Sequence, residues 1–116
     1  MDRFLVAALV LVAASACTPS EHSSGNETGK EIYFLHCSSC HQPDGRGYDH
    51  VYPPLAGNPI VRLANPEVAI DVVLRGRGSM PSFGEELTPR EIAEVVTFIR
   101  REWGNDASAV TPGQAG

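Results

Sequence analysis

The 116-residue sequence lacks several patterns that would assign it to a common class of protein. Its longest apolar run, Phe4–Ala16, is too short to cross a bilayer as a helix. Long runs of alternating apolar and polar residues are missing, so strands have little support. No Ser/His/Asp set or carboxylate pair indicates a catalytic site. The net charge of −5 argues against a nucleic-acid partner.

Cysteine is also scarce, but two of the three cysteines form an informative motif with a histidine. The segment Cys37–His41 reads Cys-x-x-Cys-His. At this spacing, both thiols can be attached to the two vinyl groups of one haem while the imidazole binds the iron. The motif therefore predicts one covalently bound haem c on Cys37 and Cys40, with His41 as an axial ligand.

Three other uses of the same cysteines compete with this interpretation. Thiol–disulfide exchange sites usually open a helix after a strand in a βαβ pattern, which does not follow here. A structural zinc site needs four nitrogen or sulfur ligands, and a second Cys-x-x-Cys or His-x-His pair is missing. A disulfide across two intervening residues closes a very small loop and gains little entropy.

Methionine is rarer still, and this scarcity points to the second axial ligand. Of the two methionines, Met1 belongs to a segment expected to be cleaved, which leaves Met80. Met80 lies in the segment 75–83, whose glycines and proline prevent a regular helix and allow the backbone to pass close to a flat cofactor. The alternative is a methionine that fills a gap in the core. The sequence favours Met80 as the sulfur ligand of the haem iron.

Three groups of residues carry a resemblance to a known family. They are Gly29-x-x-x-Tyr33-x-x-x-Cys37-x-x-Cys40-His41, the segment Tyr52–Pro59, and Met80-Pro81-Ser82-Phe83. With them, the chain resembles a class I cytochrome c over roughly residues 28 to 112. It is most similar to the cytochrome domains that accompany membrane-bound bacterial alcohol and sugar-alcohol dehydrogenases. These domains end with a segment similar to Ile99–Asn105.

The resemblance implies roles for further residues. By analogy, the Pro53 carbonyl accepts the second ring N–H of the histidine ligand, and Leu55 packs on the porphyrin. In this family the first and last helices cross at a close contact, and the matching positions here are Gly29, Tyr33 and Phe98.

Arginines supply candidate partners for the haem propionates. Arg75 and Arg77 are preferred because both lie near Met80 in the sequence. Arg46 and Arg62 are also available, and plain surface charge is an alternative for all four.

The first residues indicate export. Residues 1–16 resemble a secretory signal peptide, and Ala14-Ser15-Ala16 fits a cleavage site just before Cys17. Cys17 is therefore a candidate for acylation, as in bacterial lipoproteins, and several acyl chains would anchor the protein stably. Ordinary cleavage, which would leave a free thiol, is the alternative. Residues 17–28 have no apolar periodicity and are expected to form a flexible tether for a periplasmic domain.

Capping signals divide the remaining chain into three main helices. The first is expected from about Gly29 to Cys40. Asn65-Pro66 begins the second, and Gly76 ends it. Thr88–Glu91 forms a capping box that opens the third, which is expected to continue to Trp103 before Gly104. The sequence thus predicts an all-α cytochrome c fold at residues 29–104 around the haem, followed by a tail at residues 105–116.

We therefore expect a single-electron carrier, not an enzyme, that passes electrons between respiratory or dehydrogenase partners. Its partners would be redox proteins: a dehydrogenase, a cytochrome complex or a terminal oxidase. A permanent subunit of a dehydrogenase or oxidase complex is the main alternative. A haem protein whose Met80 dissociates to admit a ligand is another, and a thiol oxidoreductase without haem is the third.

Overall fold

The computed structural model describes residues 10–15 and 25–116. In this part of the chain, the backbone forms five helices, no strand and two isolated bridges. The helices are α1 (Gly25–His36), α2 (Ser38–His41), α3 (Glu67–Arg75), α4 (Pro89–Arg101) and α5 (Pro112–Ala115). The predicted all-α fold is confirmed. None of these five helices is both long and apolar enough to span a bilayer.

The first helix differs from its expected bounds at both ends. It begins at Gly25, inside the segment expected to be a tether, and ends at His36. Cys37 interrupts it with φ −118°, and the short helix α2 follows directly. The Cys37 amide still donates to the Tyr33 carbonyl at 2.8 Å, so α2 continues from α1 with a local bend. Cys37 lies at this bend, and Cys40 lies in α2.

Helices α1 and α4 cross at Gly29, as the resemblance implied. A Cβ at Gly29 would collide with the Glu94 carbonyl and lie 2.9 Å from the Phe98 Cβ. The absence of a side chain therefore allows the two backbones to touch. Next to the crossing, the fully buried Tyr33 ring packs against Phe98, with 5.5 Å between ring centroids, and against Trp103, at 5.0 Å.

Helix α4 has the predicted start but an earlier end. The Thr88 side chain accepts from the Glu91 amide at 3.2 Å, and the Glu91 carboxylate accepts from the Thr88 amide at 2.8 Å. These bonds complete the predicted capping box. The helix ends at Arg101, and Trp103 lies beyond it with φ +53°. This turn directs the indole toward Tyr33 of α1, and its Nε1 donates to the Pro43 carbonyl, in the loop after α2, at 3.2 Å.

Helix α3 begins one residue later than the sequence indicated. Pro66 flanks the helix, and Glu67 is its first residue. Asn65 nevertheless caps this end, because its side-chain oxygen accepts from the Glu67 amide at 2.9 Å. The helix ends at Arg75, and Gly76 follows with φ +74°, as predicted.

Residues 105–116, expected to be a tail, pack against the helices. Asn105, Val110 and Ala115 are buried, and α5 contacts both α4 and α3. The Thr97 hydroxyl accepts from the Val110 amide at 2.9 Å and so fastens this segment along α4. The C-terminal residues are therefore an integral part of the domain.

Arg100 joins three parts of the chain from a fully buried position. Its guanidinium donates to the carbonyls of Val61 at 3.0 Å and Leu63 at 2.6 Å. It also donates to the carbonyl of Ser108 at 3.0 Å. Burial and the neighbouring Arg101 lower the pKa of Arg100 from its ordinary value, but an arginine stays charged at neutral pH. This buried cation thus fixes α4 to the segment that leads into α3.

We expect Gly29→Ala to destabilise the domain by about 2 kcal/mol, because the added methyl group collides with backbone that cannot rotate away. Guanidinium unfolding of the haem-loaded protein measures this change. Gly113→Ala is the matched control, since the nearest atom to its Cβ would be 3.9 Å away. Equal stability of the two variants would contradict the close crossing.

Candidate haem site

The two cysteines of the motif lie at the junction of α1 and α2 as free, partly buried thiols. Burial, and to a lesser extent the neighbouring Cys40, raises the pKa of Cys37 to about 12. A thiol with a raised pKa lacks the thiolate character typical of a Cys-x-x-Cys redox site. In residues 10–15 and 25–116, no group of three or more His, Cys, Asp or Glu side chains could hold a metal ion. The zinc and thiol-exchange alternatives gain no support.

His41 has one ring nitrogen fixed by the protein. The side chain is buried, and its Nδ1 lies 3.0 Å from the Pro53 carbonyl oxygen. Because a carbonyl can only accept, Nδ1 must carry the proton, and the neutral ring keeps its lone pair on Nε2. Nε2 has no hydrogen-bond partner in the described residues. The structure therefore holds this imidazole in the tautomer and orientation that suit an iron ligand.

A glycine allows the loop after His41 to close tightly enough for this bond. Gly47 has φ +65°, and a Cβ there would collide with the Tyr52 carbonyl and lie 2.7 Å from the Pro53 carbonyl oxygen. The Gly47 amide donates to the His41 carbonyl at 2.9 Å. The loop thus folds back on the histidine and places Pro53 beside the ring.

Met80 lies in a tight turn that follows the C-terminal end of α3. Its amide donates to the Arg77 carbonyl at 2.9 Å, and its carbonyl accepts from the Arg77 amide at 3.2 Å. The side chain is partly buried and packs against the same hydrophobic core as Cys37 and Leu55. The predicted sulfur ligand, one attachment cysteine and the predicted porphyrin contact thus all lie at the edge of one core.

Hydrogen bonds fasten the Met80 turn to the end of α3. The Phe83 amide donates to the Val73 carbonyl at 3.0 Å, and the Ser82 hydroxyl donates to the Leu74 carbonyl at 2.5 Å. A Cβ at Gly76 would collide with the Met80 carbonyl. The path of this turn therefore depends on Gly76.

The preferred propionate partners are less clearly placed. Arg75 is exposed and forms an ion pair with Asp71 at 2.8 Å, one helical turn away. Arg77 is also exposed, and only its backbone takes part in the Met80 turn. Arg46 lines an open cavity of about 400 Å³ next to Pro53. Arg46 forms a long ion pair with Asp44, with 3.9 Å between Nε and Oδ2, and the side chains of both residues are largely exposed.

The residues present fit a c-type haem. Two thiols, an imidazole with a free Nε2 and a thioether form the donor set that such a haem requires. Large apolar side chains also remain exposed in segments next to these donors, among them Leu35 before the first cysteine and Val51 before Pro53. An apolar macrocycle would cover such surface. The predicted Cys17 site lies outside the described residues.

Comparison with known proteins gives the same assignment. Residues 25–99 match the family described as cytochrome c oxidase, cbb3-type, subunit III. The chain belongs to this family of cytochrome c domains. The match covers α1 to α3 and α4 as far as Ile99, and it includes every predicted haem ligand. This cytochrome carries haem c.

Individual relatives include both large and small cytochromes. The cytochrome c subunit of alcohol dehydrogenase (quinone) from Gluconacetobacter polyoxogenes is 37% identical, over 73% of this chain and 21% of that protein. Cytochrome c-552 from Thermus thermophilus is 36% identical, over 66% of this chain and 69% of that protein. This cytochrome thus spans about a fifth of the length of the dehydrogenase subunit it matches.

A solved structure supports the fold. Cytochrome c6 from the diatom Phaeodactylum tricornutum superposes on this cytochrome with a TM-score of 0.57 and 23% identity. The superposition covers 67% of this chain and 93% of the diatom chain.

Sequence reasoning missed Asn105 and Gly76 as contributors to the site. Gly76 was identified as a helix terminator and as one of the glycines that free segment 75–83 from regular helix, but its close approach to the Met80 carbonyl was not predicted. Asn105 was assigned to a tail, but its buried side chain bonds to the segment after Pro53. The contact of Asn105 has no local signal, since its partners at this segment lie 48 and 50 residues away.

We expect Gly76→Ala to disturb the Met80 turn more than Gly78→Ala. Both glycines have positive φ, so each substitution costs roughly 1–2 kcal/mol of backbone strain. Only Gly76→Ala adds a collision, because nothing lies within 4 Å of a Cβ at Gly78. Thermal unfolding and the visible spectrum of both variants measure the difference. If Gly78→Ala were equally damaging, strain alone would explain the effect.

Proposed function

We propose that this cytochrome is a one-electron carrier whose haem is bound through Cys37 and Cys40 and whose iron is held by His41 and Met80. The observation that carries the proposal is the hydrogen bond from His41 Nδ1 to the Pro53 carbonyl, at 3.0 Å. It leaves Nε2 directed away from the protein's own acceptors and increases the basicity of the ring.

Met80 is the candidate for the opposite axial position. In residues 10–15 and 25–116 it is the sole methionine, and its partly buried side chain packs on the core. The bonds from Ser82 and Phe83 to α3 limit the movement of the turn. A thioether held in this way stabilises ferrous over ferric iron, because sulfur is a soft ligand.

The haem, when bound, supplies an iron that gains and loses one electron while keeping the same six ligands. The chain's residues hold the nitrogen and sulfur donors still and exclude water from them. If His41 and Met80 both hold the iron, no iron site would be left for oxygen or peroxide. We therefore propose that the domain transfers electrons and has no enzymatic reaction of its own.

Redox proteins are the proposed partners. Relatives of this chain are named as cytochrome subunits of alcohol, gluconate and fructose dehydrogenases. These names support a dehydrogenase as donor, whereas the matched family's name refers to an oxidase. The second candidate function is a permanent subunit of such a complex. A stoichiometric complex recovered from detergent-solubilised membranes would favour the subunit, and an isolated domain would favour the shuttle.

The proposed location is the periplasm, with a lipid anchor at Cys17. The support is the apolar segment Phe4–Ala16, the small residues before Cys17, and the resemblance to cytochromes whose haem is attached outside the cytoplasm. An anchor would keep the carrier at the membrane surface near its partners.

We expect Met80→Ala to remove the low-spin character of the reduced and oxidised visible spectra. Axial ligands vary haem potentials over about 0.8 V, and losing the thioether should lower the potential by on the order of 0.1 V. Spectroscopy and redox titration of the exported protein measure both effects, with Ser79→Ala as the control in the same turn. An unchanged spectrum would exclude Met80 as a ligand.

Carbon monoxide distinguishes the carrier from a ligand-binding haem protein. Ferrous wild-type protein should resist carbon monoxide at neutral pH, and Met80→Ala should bind it. Binding by the wild type would show that the sulfur dissociates easily, in favour of the ligand-binding alternative.

We expect Cys17→Ser to move the haem protein from the membrane fraction to the soluble periplasmic fraction. Acyl chains contribute about 0.8 kcal/mol per buried methylene, so their loss removes most of the membrane affinity. Fractionation followed by mass analysis of the N-terminal peptide measures the change. A soluble wild-type protein with an unmodified Cys17 would disprove the anchor.

A further inference from the structure

The buried side chain of Asn105 satisfies backbone groups from two distant segments. It is 4% exposed and lies just beyond the end of α4. Its Nδ2 donates to the carbonyls of Leu55 at 3.0 Å and Ile99 at 2.9 Å, and its Oδ1 accepts from the Gly57 amide at 2.9 Å. All the donors of the amide are used. The side chain thus connects the end of α4 to residues 55–57.

Residues 55–57 follow Pro53, whose carbonyl accepts the hydrogen bond from His41 Nδ1. Pro53 and Pro54 have no amide hydrogens, so neither can fix its own position by donating a backbone hydrogen bond. The position of the Pro53 carbonyl therefore depends on the residues that flank the two prolines.

The segment is held from two sides. On one side, the Gly45 carbonyl accepts from the amides of Leu55 at 2.7 Å and Ala56 at 2.9 Å. On the other side, Asn105 binds Leu55 and Gly57. Gly45 belongs to the loop after His41, whereas Asn105 belongs to the helical framework. Asn105 thus joins residues 55–57 to the end of α4, whereas Trp103 Nε1 joins that end to Pro43 in the loop after His41.

We propose that Asn105 is a positioning residue for the His41 ligand, acting through the 53–57 segment, and that it thereby sets the haem potential. The inference rests on the proposed function, because it requires His41 to bind the iron. Asn105 holds Leu55 and Gly57, these residues place the Pro53 carbonyl, and that carbonyl orients His41 and increases its basicity.

The proposal predicts the sign of the effect on the potential. A more basic imidazole stabilises ferric iron, so a weaker Nδ1–H···O=C bond shifts the equilibrium toward ferrous iron and raises the potential. General loosening has the opposite sign, because water entering the site favours the more highly charged ferric form. The direction of the shift therefore separates positioning from loss of packing.

The test compares three variants of the full-length, haem-loaded protein. Asn105→Ser removes both donors to Leu55 and Ile99. Asn105→Gln keeps all donors and the acceptor but displaces them by one methylene. Thr97→Val is the control, because it breaks a hydrogen bond of similar length on α4 to Val110, a residue outside the 53–57 segment.

The readouts are the reduction potential and the exchange rate of the His41 Nδ1 proton by NMR. We expect Asn105→Ser to favour ferrous iron by about threefold, or about 28 mV at about 59 mV per tenfold for one electron. The Nδ1 proton should exchange faster. Asn105→Gln should change both in the same direction by less, and Thr97→Val should lower stability without raising the potential.

Each outcome supports or overturns the inference. An unchanged or lowered potential in both Asn105 variants, with a low-spin nitrogen-sulfur spectrum intact, would overturn this inference alone. If Asn105→Ser yields no haem-loaded protein, the sign of the shift in Asn105→Gln decides. A wild-type spectrum without a nitrogen ligand would overturn the proposed function and this inference together.

Discussion

Helices α1 and α4 touch at Gly29, and the parts of the site are placed relative to that contact. Helix α1 continues through the bend at Cys37 into the turn that carries His41. Helix α4 ends close to Trp103, whose indole packs on Tyr33 and donates to the Pro43 carbonyl. A larger residue at Gly29 would separate the two helices and so move the attachment motif away from the end of α4.

Backbone groups supply most of the bonds that shape the site. The His41 ring donates to a carbonyl, the Gly47 amide donates to the His41 carbonyl, and the Met80 turn is closed by its bonds with Arg77. Side chains contribute where segments far apart in sequence must be joined, as Arg100 does with the Val61 carbonyl. The precision of the site therefore comes from loops that close on themselves and are then fixed to the helices.

The sequence predicted the features that have a local signal. The Thr88 capping box, the end of α3 at Gly76 and the Pro53 acceptor for His41 are all present in the structure. The first two follow from residues a few positions apart, while the third came from a family resemblance. The predicted end of α4 at Trp103 was too late, because a tryptophan gives no sequence signal that its backbone will adopt a left-handed conformation beyond the helix.

The remaining differences share a physical cause. The packing of α5, the network of Arg100 and the bonds of Asn105 depend on contacts between residues remote in the sequence. Residues 105–116 have the polar, glycine-containing composition of a tail, and their contacts with α4 and α3 make their ordered packing favourable. Composition alone therefore could not distinguish a packed segment from a free one.

The pair Pro53–Pro54 limits the backbone conformations that this stretch of the chain can adopt. Each ring restricts φ to about −65°, so the stretch explores few shapes even before folding. Ordering it costs less conformational entropy than ordering two unrestricted residues would. The two prolines thus reduce the entropy cost of ordering the acceptor for the imidazole, while the flanking residues decide its final position.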